Sequence, residues 1–349
     1  MLIKLTSIML YALVWFFLAL TLYPWYIALL KKRKIGKQIR DDSMTGEKAT
    51  IFSALHAHKS WTPTMWWWVL LLIMLLLVWF SFVIQYAWIT NNSLVTRQET
   101  YILLFAFFSM WLLWLLDDWL NIIGKKWIKW MTALMKIIWM WLFSAGISRW
   151  FYAKLGVSTL NLRPIAGEIE LWLFMPILTF FFTITIVNAI NITDWLDGLV
   201  GWLLLIVFGV IAVMTFVSQW FIATTLLGVV LWGLLAFLRF NINPAKIFLG
   251  DSWALAFWWI LSALVYLLNI RFGVLIPFMI LMSIFWVEIW SSLLQILSKK
   301  IRKQKLFTVA PYHHLLEHKW YSESTIVMKF RVIQWALGVI ALIMLLYQV

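Results

Sequence analysis

Residues 199–238 read LVGWLLLIVFGVIAVMTFVSQWFIATTLLGVVLWGLLAFL, and no residue in this stretch carries a charge. A helix needs about 20 apolar residues to cross the hydrocarbon core of a bilayer. Ser218 and Gln219 divide the stretch near its middle, so it has the length of two spans joined by a short turn. We therefore predict membrane-spanning helices over 199–217 and 220–238.

Similar apolar runs recur along all 349 residues. None alternates in the manner of a barrel strand, and eight more bring the total to ten, at 8–30, 65–84, 100–116, 131–147, 171–190, 253–268, 273–297 and 328–347. Hydrophobic residues make up 64% of the chain and charged residues 12%, which excludes a soluble globular protein and a disordered one. We predict an all-α integral membrane protein of about ten transmembrane helices, with residues 1–349 forming a single domain.

Charge sets the predicted topology. Basic residues concentrate in alternate loops, at 31–64, 117–130, 191–198, 239–252 and 298–327. The positive-inside rule places these loops in the cytoplasm and both chain termini outside. All seven Asp and all five His lie in or beside these loops, so we expect an active-site cleft on the cytoplasmic face.

The net charge of +14 favours contact with anionic headgroups or phosphates, and the absence of Cys excludes thiolate chemistry.

Three carboxylates lie where predicted spans meet the cytoplasmic face. Asp117 and Asp118 end one span, and Asp251 precedes another. Ionised carboxylates beside hydrocarbon are costly and usually functional, and their oxygens suit Mg²⁺ or a division into base and metal ligand. The alternatives are an interfacial cap balanced by Lys125 and Lys126 for the pair, and a helix N-cap for Asp251.

A polar segment, NAINITDWLDGL, separates two strongly apolar runs. It places Asn188, Asn191, Asp194 and Asp197 three residues apart. This spacing aligns the first three along one helical stripe, which predicts a polar wall at the membrane edge. The alternative is a short solvated turn.

Two further segments carry candidate phosphate or base contacts. HAHKSWTPTM contains Lys59 and Thr64, and FNINPAKIFLGDS contains Asn241 and Phe248. Pro244 and Gly250 mark the second segment as an ordered loop.

The segment APYHHLLEHKW contains a cluster of His and Glu. His314 and His318 are four residues apart, as are His313 and Glu317. In a helix this spacing suits zinc, phosphate contact or general acid–base work, and the alternative is an exposed amphipathic loop. Glu288, within the run at 273–297, is expected to be paired or functional because acids are costly in a membrane.

In this order, the segments resemble the phospho-N-acetylmuramoyl-pentapeptide-transferase family, within the polyprenyl-phosphate N-acetylhexosamine-1-phosphate transferases. The resemblance extends from HKSWTPTM to RVIQWALG. It implies transfer of phospho-MurNAc-pentapeptide from its UDP carrier to undecaprenyl phosphate, giving lipid I and UMP for peptidoglycan synthesis at the bacterial cytoplasmic membrane. It also implies Mg²⁺ as cofactor. The expected partners are the two substrates and the bilayer, with no nucleic acid and with a homodimer left open.

By position, the resemblance also implies residue roles. The implied catalytic residues are Asp117, Asp118, Asp251, His313, His314 and Lys136, with Asp251 and Asp118 as metal ligands. Asp117 would act as base or nucleophile near the lipid phosphate. The implied substrate site comprises Lys59, Thr64, Asn188, Asn191, Asp194, Asp197, Asn241 and Phe248. Phe248 would stack on uracil.

The chain departs from the family pattern at two positions, and two other functions remain open. Leu315 replaces the third His of a triplet, and Asn121 replaces a Lys. One alternative is a GlcNAc-1-phosphate transferase of the same superfamily, against which the TPTM and Pro-x-His-His-x-x-Glu segments argue. The other is an ion-coupled transporter, whose carboxylates would be expected near the bilayer midplane instead of at span ends.

The chain contains 28 Trp and only 14 Gly. Trp stands where the family pattern has Gly at Trp61, Trp66, Trp67, Trp130, Trp195, Trp253, Trp258, Trp259 and Trp320. We hypothesise that UGA codons are read as glycine in the native cell, so that many of these positions are natively Gly. An aromatic belt is the alternative, but it would distribute Trp over both interfaces. The hypothesis predicts that Trp side chains crowd the substrate site.

Overall fold

A computed structural model describes residues 2–33, 59, 62–63, 76, 79, 83, 86, 105, 133–163, 165–249 and 251–348. It describes the backbone alone at residues 2–4, 7, 11, 133–134, 136 and 251–259. The predicted runs at 65–84 and 100–116 lie outside the described residues, apart from isolated positions. The total of ten spans and the inside–outside topology therefore stay predictions.

The described chain is almost entirely helical, as the sequence predicts. Its ten helices are α1 (Leu2–Lys32), α2 (Ala133–Ala153), α3 (Phe174–Thr193), α4 (Leu199–Val217), α5 (Phe221–Asn241), α6 (Asp251–Phe272), α7 (Leu275–Leu281), α8 (Ser283–Arg302), α9 (Tyr312–His318) and α10 (Glu323–Leu346). Five of them are long and apolar enough to cross a membrane, or six with α7 and α8 counted as one bent span. The described residues therefore belong to a multi-pass membrane protein.

Helix α4 lies at the centre of the described bundle. It packs against α5 and α10, and α1 covers the other side of α5. Side chains between these helices are fully buried, including Leu203, Val207 and Phe237. The packing brings together the ends of α3 and α5 and the beginnings of α4 and α10, which we call the site end.

The run predicted as one span at 273–297 is broken, which corrects the sequence prediction. Helices α7 and α8 meet at Met282 with a bend of 70°. The bend frees the carbonyl of Leu281, and the buried amide of Gln334 donates to it at 2.7 Å. A polar partner on α10 thus compensates the backbone at the break, and nothing in the run itself signals this.

A small hairpin that the sequence analysis did not predict lies at the opposite end of the bundle. Strand β1 (Thr159–Asn161) pairs antiparallel with β2 (Glu168–Glu170), with Leu160 opposite Ile169. The hairpin packs against the end of α6, where Gly273 has φ +71° and a Cβ would lie 2.5 Å from the Asn161 side-chain oxygen. Glycine is therefore required there, and this region is the hairpin end.

Candidate active site

A buried cluster of charges occupies the site end. The Lys59 ammonium lies 2.8 Å from Asp197 Oδ1 and 2.6 Å from Glu323 Oε1. The three side chains are only 8%, 2% and 11% exposed, respectively. One ammonium therefore balances two carboxylates in a region largely closed to water, where electrostatic interactions are strong.

Asn243 and two backbone amides complete this cluster. Asn243 Nδ2 lies 3.1 Å from both Asp197 Oδ2 and Glu323 Oε2. Ala245 N donates to Asp197 Oδ2 at 3.0 Å, and Asp197 N donates to Glu323 Oε1. We call Lys59, Asp197, Asn243 and Glu323 the Lys59 junction. It ties the segment before the second predicted span to the α3–α4 loop, the α5–α6 loop and the start of α10.

Asn241 holds the neighbouring loops in place. Its buried Oδ1 accepts from Gly198 N at 3.0 Å, and its Nδ2 donates to Ile247 O at 2.9 Å. Gly198, the N-terminal cap residue of α4, has φ +76°, a left-handed conformation that favours glycine. Phe248 N donates to Pro63 O at 2.8 Å, which fixes half-buried Phe248 beside the segment that contains Lys59.

Two His–Glu pairs lie at the start of α9. His313 and Glu288 are both fully buried, with Nδ1 and Oε2 2.9 Å apart. Half-buried His314 has its Nδ1 2.6 Å from Glu317 Oε2. A carboxylate on Nδ1 fixes the ring orientation and directs Nε2 as the second functional atom. His313 Nε2 and Glu288 Oε1 have no hydrogen-bond partner among the described residues.

The two His rings connect this region to the α3–α4 loop. Their centroids are 4.2 Å apart, and the His314 ring meets the edge of Trp195 at 6.2 Å. Trp195, one of the positions where the family pattern has Gly, therefore packs onto a candidate catalytic side chain. The segment at 311–318 is also not an exposed loop, because its first His is in the protein interior.

The remaining candidates from the polar segment line the end of α3. Asn188 donates to Ile184 O within the same helix at 2.8 Å. Asn191 and Asp194 are half-buried, and Asp194 is the C-terminal cap residue of α3. Asn188 and Asn191 thus lie within the last turns of a helix that ends at the site.

For several candidate residues, the structure does not describe the side chain. Asp117, Asp118 and Thr64 lie outside the described residues altogether. Asp251 is the first residue of α6 and Lys136 lies in α2, each with only its backbone described. Within the described residues, no three His, Cys, Asp or Glu side chains are grouped to hold a metal ion. The side chains of the predicted Mg²⁺ ligands, Asp118 and Asp251, are not among those described.

Sequence reasoning missed Glu323 and Asn243. The apolar run at 328–347 predicts a loop at Glu323, whereas α10 begins at Glu323. A signal was present: Ser322 caps the helix by accepting from Thr325 N, and an acidic residue follows in the first turn. Asn243 carried no such signal, because its partners come from distant parts of the chain.

Residues 100–269 match the family described as Glycosyl transferase family 4. The phospho-N-acetylmuramoyl-pentapeptide-transferase of Petrotoga mobilis is 32% identical over 330 residues, which is 95% of this chain and 96% of the relative. The chain belongs to the phospho-N-acetylmuramoyl-pentapeptide-transferase family. Relatives with the same name from Geobacillus thermodenitrificans and Clostridium perfringens (strain SM101) are each 30% identical, over 93% and 91% of this chain and 92% and 90% of their own lengths.

Membership in this family gives the site its chemical class. The protein is a glycosyl transferase family 4 enzyme, with a sugar nucleotide and a polyprenyl phosphate as substrates, and the relatives named above are bacterial. The transferred group is a sugar 1-phosphate.

Proposed function

We propose that this enzyme transfers phospho-MurNAc-pentapeptide from UDP-MurNAc-pentapeptide to undecaprenyl phosphate in the bacterial cytoplasmic membrane. The products are lipid I and UMP, for peptidoglycan synthesis. The observation that carries the proposal is the Lys59 junction, since it joins three separate motif segments around one buried ammonium. The Pro-x-His-His-x-x-Glu segment, which contains His313 and His314, supports the muramoyl branch, because it argues against a GlcNAc-1-phosphate transferase.

The reaction exchanges one phosphoanhydride for another. A phosphate oxygen of the lipid attacks the sugar-linked phosphorus, the bond from that phosphorus to the bridging oxygen breaks, and UMP leaves with the electron pair. Phosphoryl transfer requires mainly positioning and charge neutralisation. The lipid phosphate is already anionic near neutral pH, so a direct attack and a covalent intermediate on Asp117 both remain consistent with the residue set.

The proposed nucleotide site lies around the Lys59 junction. Phe248 offers an aromatic face to uracil, and half-buried Asp194 supplies a polar contact. Lys59 and Asp197 position the loops around the nucleotide, because both side chains are almost fully buried and bonded to one another. In this proposal Asn241 holds the loops in position and does not bind the nucleotide, because its Oδ1 and Nδ2 are both bonded to backbone groups. Asn188 and Asn191 extend the polar wall at the end of α3, and Thr64 is assigned to the nucleotide side by sequence position only. By sequence position, His314 and Lys136 are assigned to the phosphate groups, and fully buried His313 positions the His314 ring 4.2 Å away.

Mg²⁺ is part of the proposal. The donor set of Asp251, Asp118 and Asp117 consists of hard carboxylate oxygens at span ends, which is the chemistry that Mg²⁺ prefers. When bound, the ion would neutralise charge on the diphosphate. The chain's own residues orient the nucleotide and hold the sugar-linked phosphorus within reach of the lipid.

Measurement of UMP release tests the proposal directly. Detergent-purified protein would receive UDP-MurNAc-pentapeptide, undecaprenyl phosphate and Mg²⁺, with a parallel reaction containing UDP-GlcNAc. We expect lipid-dependent UMP release with the muramoyl substrate only, abolished by a chelator and restored by Mg²⁺. Release from UDP-GlcNAc alone would instead identify the other branch of the superfamily. No release from either substrate would contradict a transferase of this class.

The Phe248→Ala variant tests the nucleotide site. Loss of a stacking face weakens ground-state and transition-state binding alike, so KM for the UDP-sugar should rise about tenfold with a smaller change in kcat. Phe216→Ala, a change of the same size at the hairpin end, is the matched control. An unchanged KM in Phe248→Ala would remove this residue from the nucleotide site.

A further inference from the structure

One face of α10 connects the Lys59 junction to the break between α7 and α8. Four residues of α10 are three or four positions apart and therefore lie along one stripe of the helix: Glu323, Ile326, Phe330 and Gln334. Ile326 and Gln334 are fully buried, and Phe330 is nearly so. One end of the stripe belongs to the Lys59 junction through Glu323, and the other end binds a carbonyl at the break through Gln334. At 1.5 Å per residue, the two ends are about 16 Å apart along the helix.

The break is attached to this stripe through the Leu281 carbonyl. The two preceding carbonyls receive their donors from the first turn of α8: Met279 O from Trp286 Nε1 at 3.1 Å, and Ile280 O from Ser283 Oγ at 2.6 Å. Those donors move with α8 itself. Leu281 O instead accepts from the Gln334 amide at 2.7 Å, which belongs to a different spanning helix. Gln334 therefore fixes the point at which the broken span leaves α10.

The break turns the chain from one neighbouring helix to another. Helix α7 packs mainly against α10, whereas α8 packs mainly against α3, which ends at the site. Between them lies the bend of 70° at fully buried Met282. Glu288 follows six positions later and pairs with His313. The direction in which α8 leaves the break therefore determines where the His–Glu pairs lie relative to the α3–α4 loop.

The chain returns to the same stripe of α10 at the start of α9. Ser291 Oγ on α8 accepts from Tyr312 N at 3.1 Å. The Tyr312 ring stacks on Phe330, with the centroids 6.2 Å apart and 5° between the ring planes. The His–Glu pairs are thus held between two attachments to α10, one at Gln334 where α8 begins and one at Phe330 where the chain returns.

We propose that Gln334 is a positioning residue for the transfer reaction. Its amide, acting through the Leu281 carbonyl, sets the direction of α8 and thereby places the His314 ring beside the α3–α4 loop. Gln334 does not touch substrate in this proposal, because it is fully buried between helices. The consequence for turnover rests on the proposed function, whereas the consequence for the direction of α8 does not.

The length of α8 amplifies any change at the break. Glu288 lies about 9 Å from Met282 along the helix, at 1.5 Å per residue. A change of about 10° at the break would therefore move Glu288 by about 1.5 Å and Leu297 by about 4 Å. A misplacement of about 1 Å in a reacting geometry can lower turnover by about 10²-fold. A small change of angle is thus enough to affect the reaction.

Distances between spin labels test the direction of α8. Because the chain has no Cys, labels attach only at Leu297→Cys and Val339→Cys, which are exposed positions of α8 and α10. Gln334→Met keeps the length of the side chain and removes the donor. In lipid nanodiscs, we expect double electron–electron resonance to show the distance between the labels shifted or broadened by about 4 Å. Gln334→Glu, which is neutral when buried and so still donates, should restore the parent distance.

Turnover tests the consequence for the reaction. In the UMP-release assay, Gln334→Met should lower kcat about tenfold or more. The KM for the UDP-sugar should stay within about twofold of the parent value, because the Lys59 junction still holds the nucleotide loops. Gln334→Glu should retain most of the parent kcat. Gln334→Asn, whose amide is one carbon shorter, should be intermediate in both measurements, and it replaces Gln334→Met if that variant does not fold.

Leu227→Ala controls for a general loss of packing. Leu227 is fully buried in α5, which packs mainly against α1 and α4. This variant should lower the unfolding temperature without changing the label distance or kcat.

Three outcomes would overturn the proposal: an unchanged label distance in Gln334→Met, an altered distance with unchanged kcat, or equal changes in Leu227→Ala. A Gln334→Glu variant that behaves like Gln334→Met would exclude the donor as the cause. A parent protein that releases no UMP would count against the proposed function instead, and the label distances would still decide whether Gln334 directs α8.

Discussion

Different interactions join the chain segments at the two ends of the bundle. At the site end, Lys59 is buried between Asp197 and Glu323, and His313 is buried against Glu288. At the hairpin end, the ties are neutral amides: Leu275 N donates to the Asn269 side chain at 3.0 Å, and Gln348 Nε2 donates to Arg163 O at 3.1 Å. The ion pair at that end, Arg163 with Glu168, has its side chains 57% and 51% exposed, respectively.

This difference shows which end has a role beyond stability. Neutral amides join segments at the hairpin end, so buried charge is not needed to close the bundle. Burial of charge carries a desolvation cost that paired ions only partly recover. Its presence at one end alone, among the described residues, fits a site that must meet a charged diphosphate.

The largest effect should come from the proposed metal ligand. Asp251→Asn removes an anionic oxygen from a Mg²⁺ site that contributes several kcal/mol of charge stabilisation, so turnover should fall at least about 10³-fold. UMP release over a Mg²⁺ titration measures this, with circular dichroism as the check on folding. Glu170→Gln on the exposed hairpin strand is the control and should retain full activity. Activity of Asp251→Asn within a few-fold of the parent would exclude this ligand.

The Lys59 junction should be much more sensitive to charge removal than the exposed pair. Lys59→Met leaves Asp197 and Glu323 as two uncompensated carboxylates, which should lower the free energy of unfolding by about 3–5 kcal/mol. Adding Glu323→Gln should restore part of that loss, because one of the two facing carboxylates is then neutral. Thermal unfolding followed by Trp fluorescence gives the order of these variants.

The exposed pair provides the reference for that measurement. Glu168→Gln breaks the Arg163 contact, whose nitrogen and oxygen are 3.7 Å apart, and should cost less than about 1 kcal/mol. If Lys59→Met were no more destabilising than Glu168→Gln, the distinction between the two ends would fail. A double variant less stable than Lys59→Met would contradict the role given to carboxylate repulsion.

Substitution of His314, the half-buried His of the two His–Glu pairs, should affect activity without affecting stability. His314 is half-buried beside the α3–α4 loop, so His314→Gln should lower kcat by about 10²-fold, at the lower end for general acid–base groups, with little change in unfolding temperature. The exposed His318 in the same helix is the matched control, and His318→Gln should change neither quantity. Equal kcat values for the two variants would remove His314 from the reaction.

Local sequence patterns predicted most of the described helices, because an apolar run is a property of consecutive residues. The helix Leu199–Val217 has the bounds predicted from the sequence, and Phe221–Asn241 begins within one residue of its predicted start. The break at Met282 was missed because its stabilising partner, Gln334, comes from α10. Likewise, the motifs predicted Lys59 and Asp197 as site residues, but no pattern shows that Glu323 and Asn243 share their polar contacts.

Trp320 has a left-handed backbone conformation that is typical of Gly, which bears on the high Trp and low Gly content of the chain. Helix α9 ends with Trp320 N donating to Glu317 O at 2.9 Å and Tyr321 N donating to Leu316 O at 3.3 Å, with Trp320 at φ +69°. This pair of hydrogen bonds is the Schellman motif, whose left-handed position is usually Gly. The Trp320 side chain is 95% exposed, so packing does not compensate the backbone conformation. The position has the geometry of a glycine.

The smallest expected effect is therefore a gain in stability. Trp320→Gly should raise the free energy of unfolding by about 1 kcal/mol, because a left-handed conformation costs a residue with a Cβ about 1–2 kcal/mol and glycine's greater freedom in the unfolded chain offsets part of the gain. Trp335→Gly, at an exposed position inside α10, should instead destabilise the protein, because glycine disfavours a helix interior. The coding sequence provides the independent check: UGA at positions 320 and 195 is expected if these residues are natively Gly. UGG codons there would end the recoding hypothesis. Trp320→Gly would then remain a test of local strain alone, contradicted by any loss of stability.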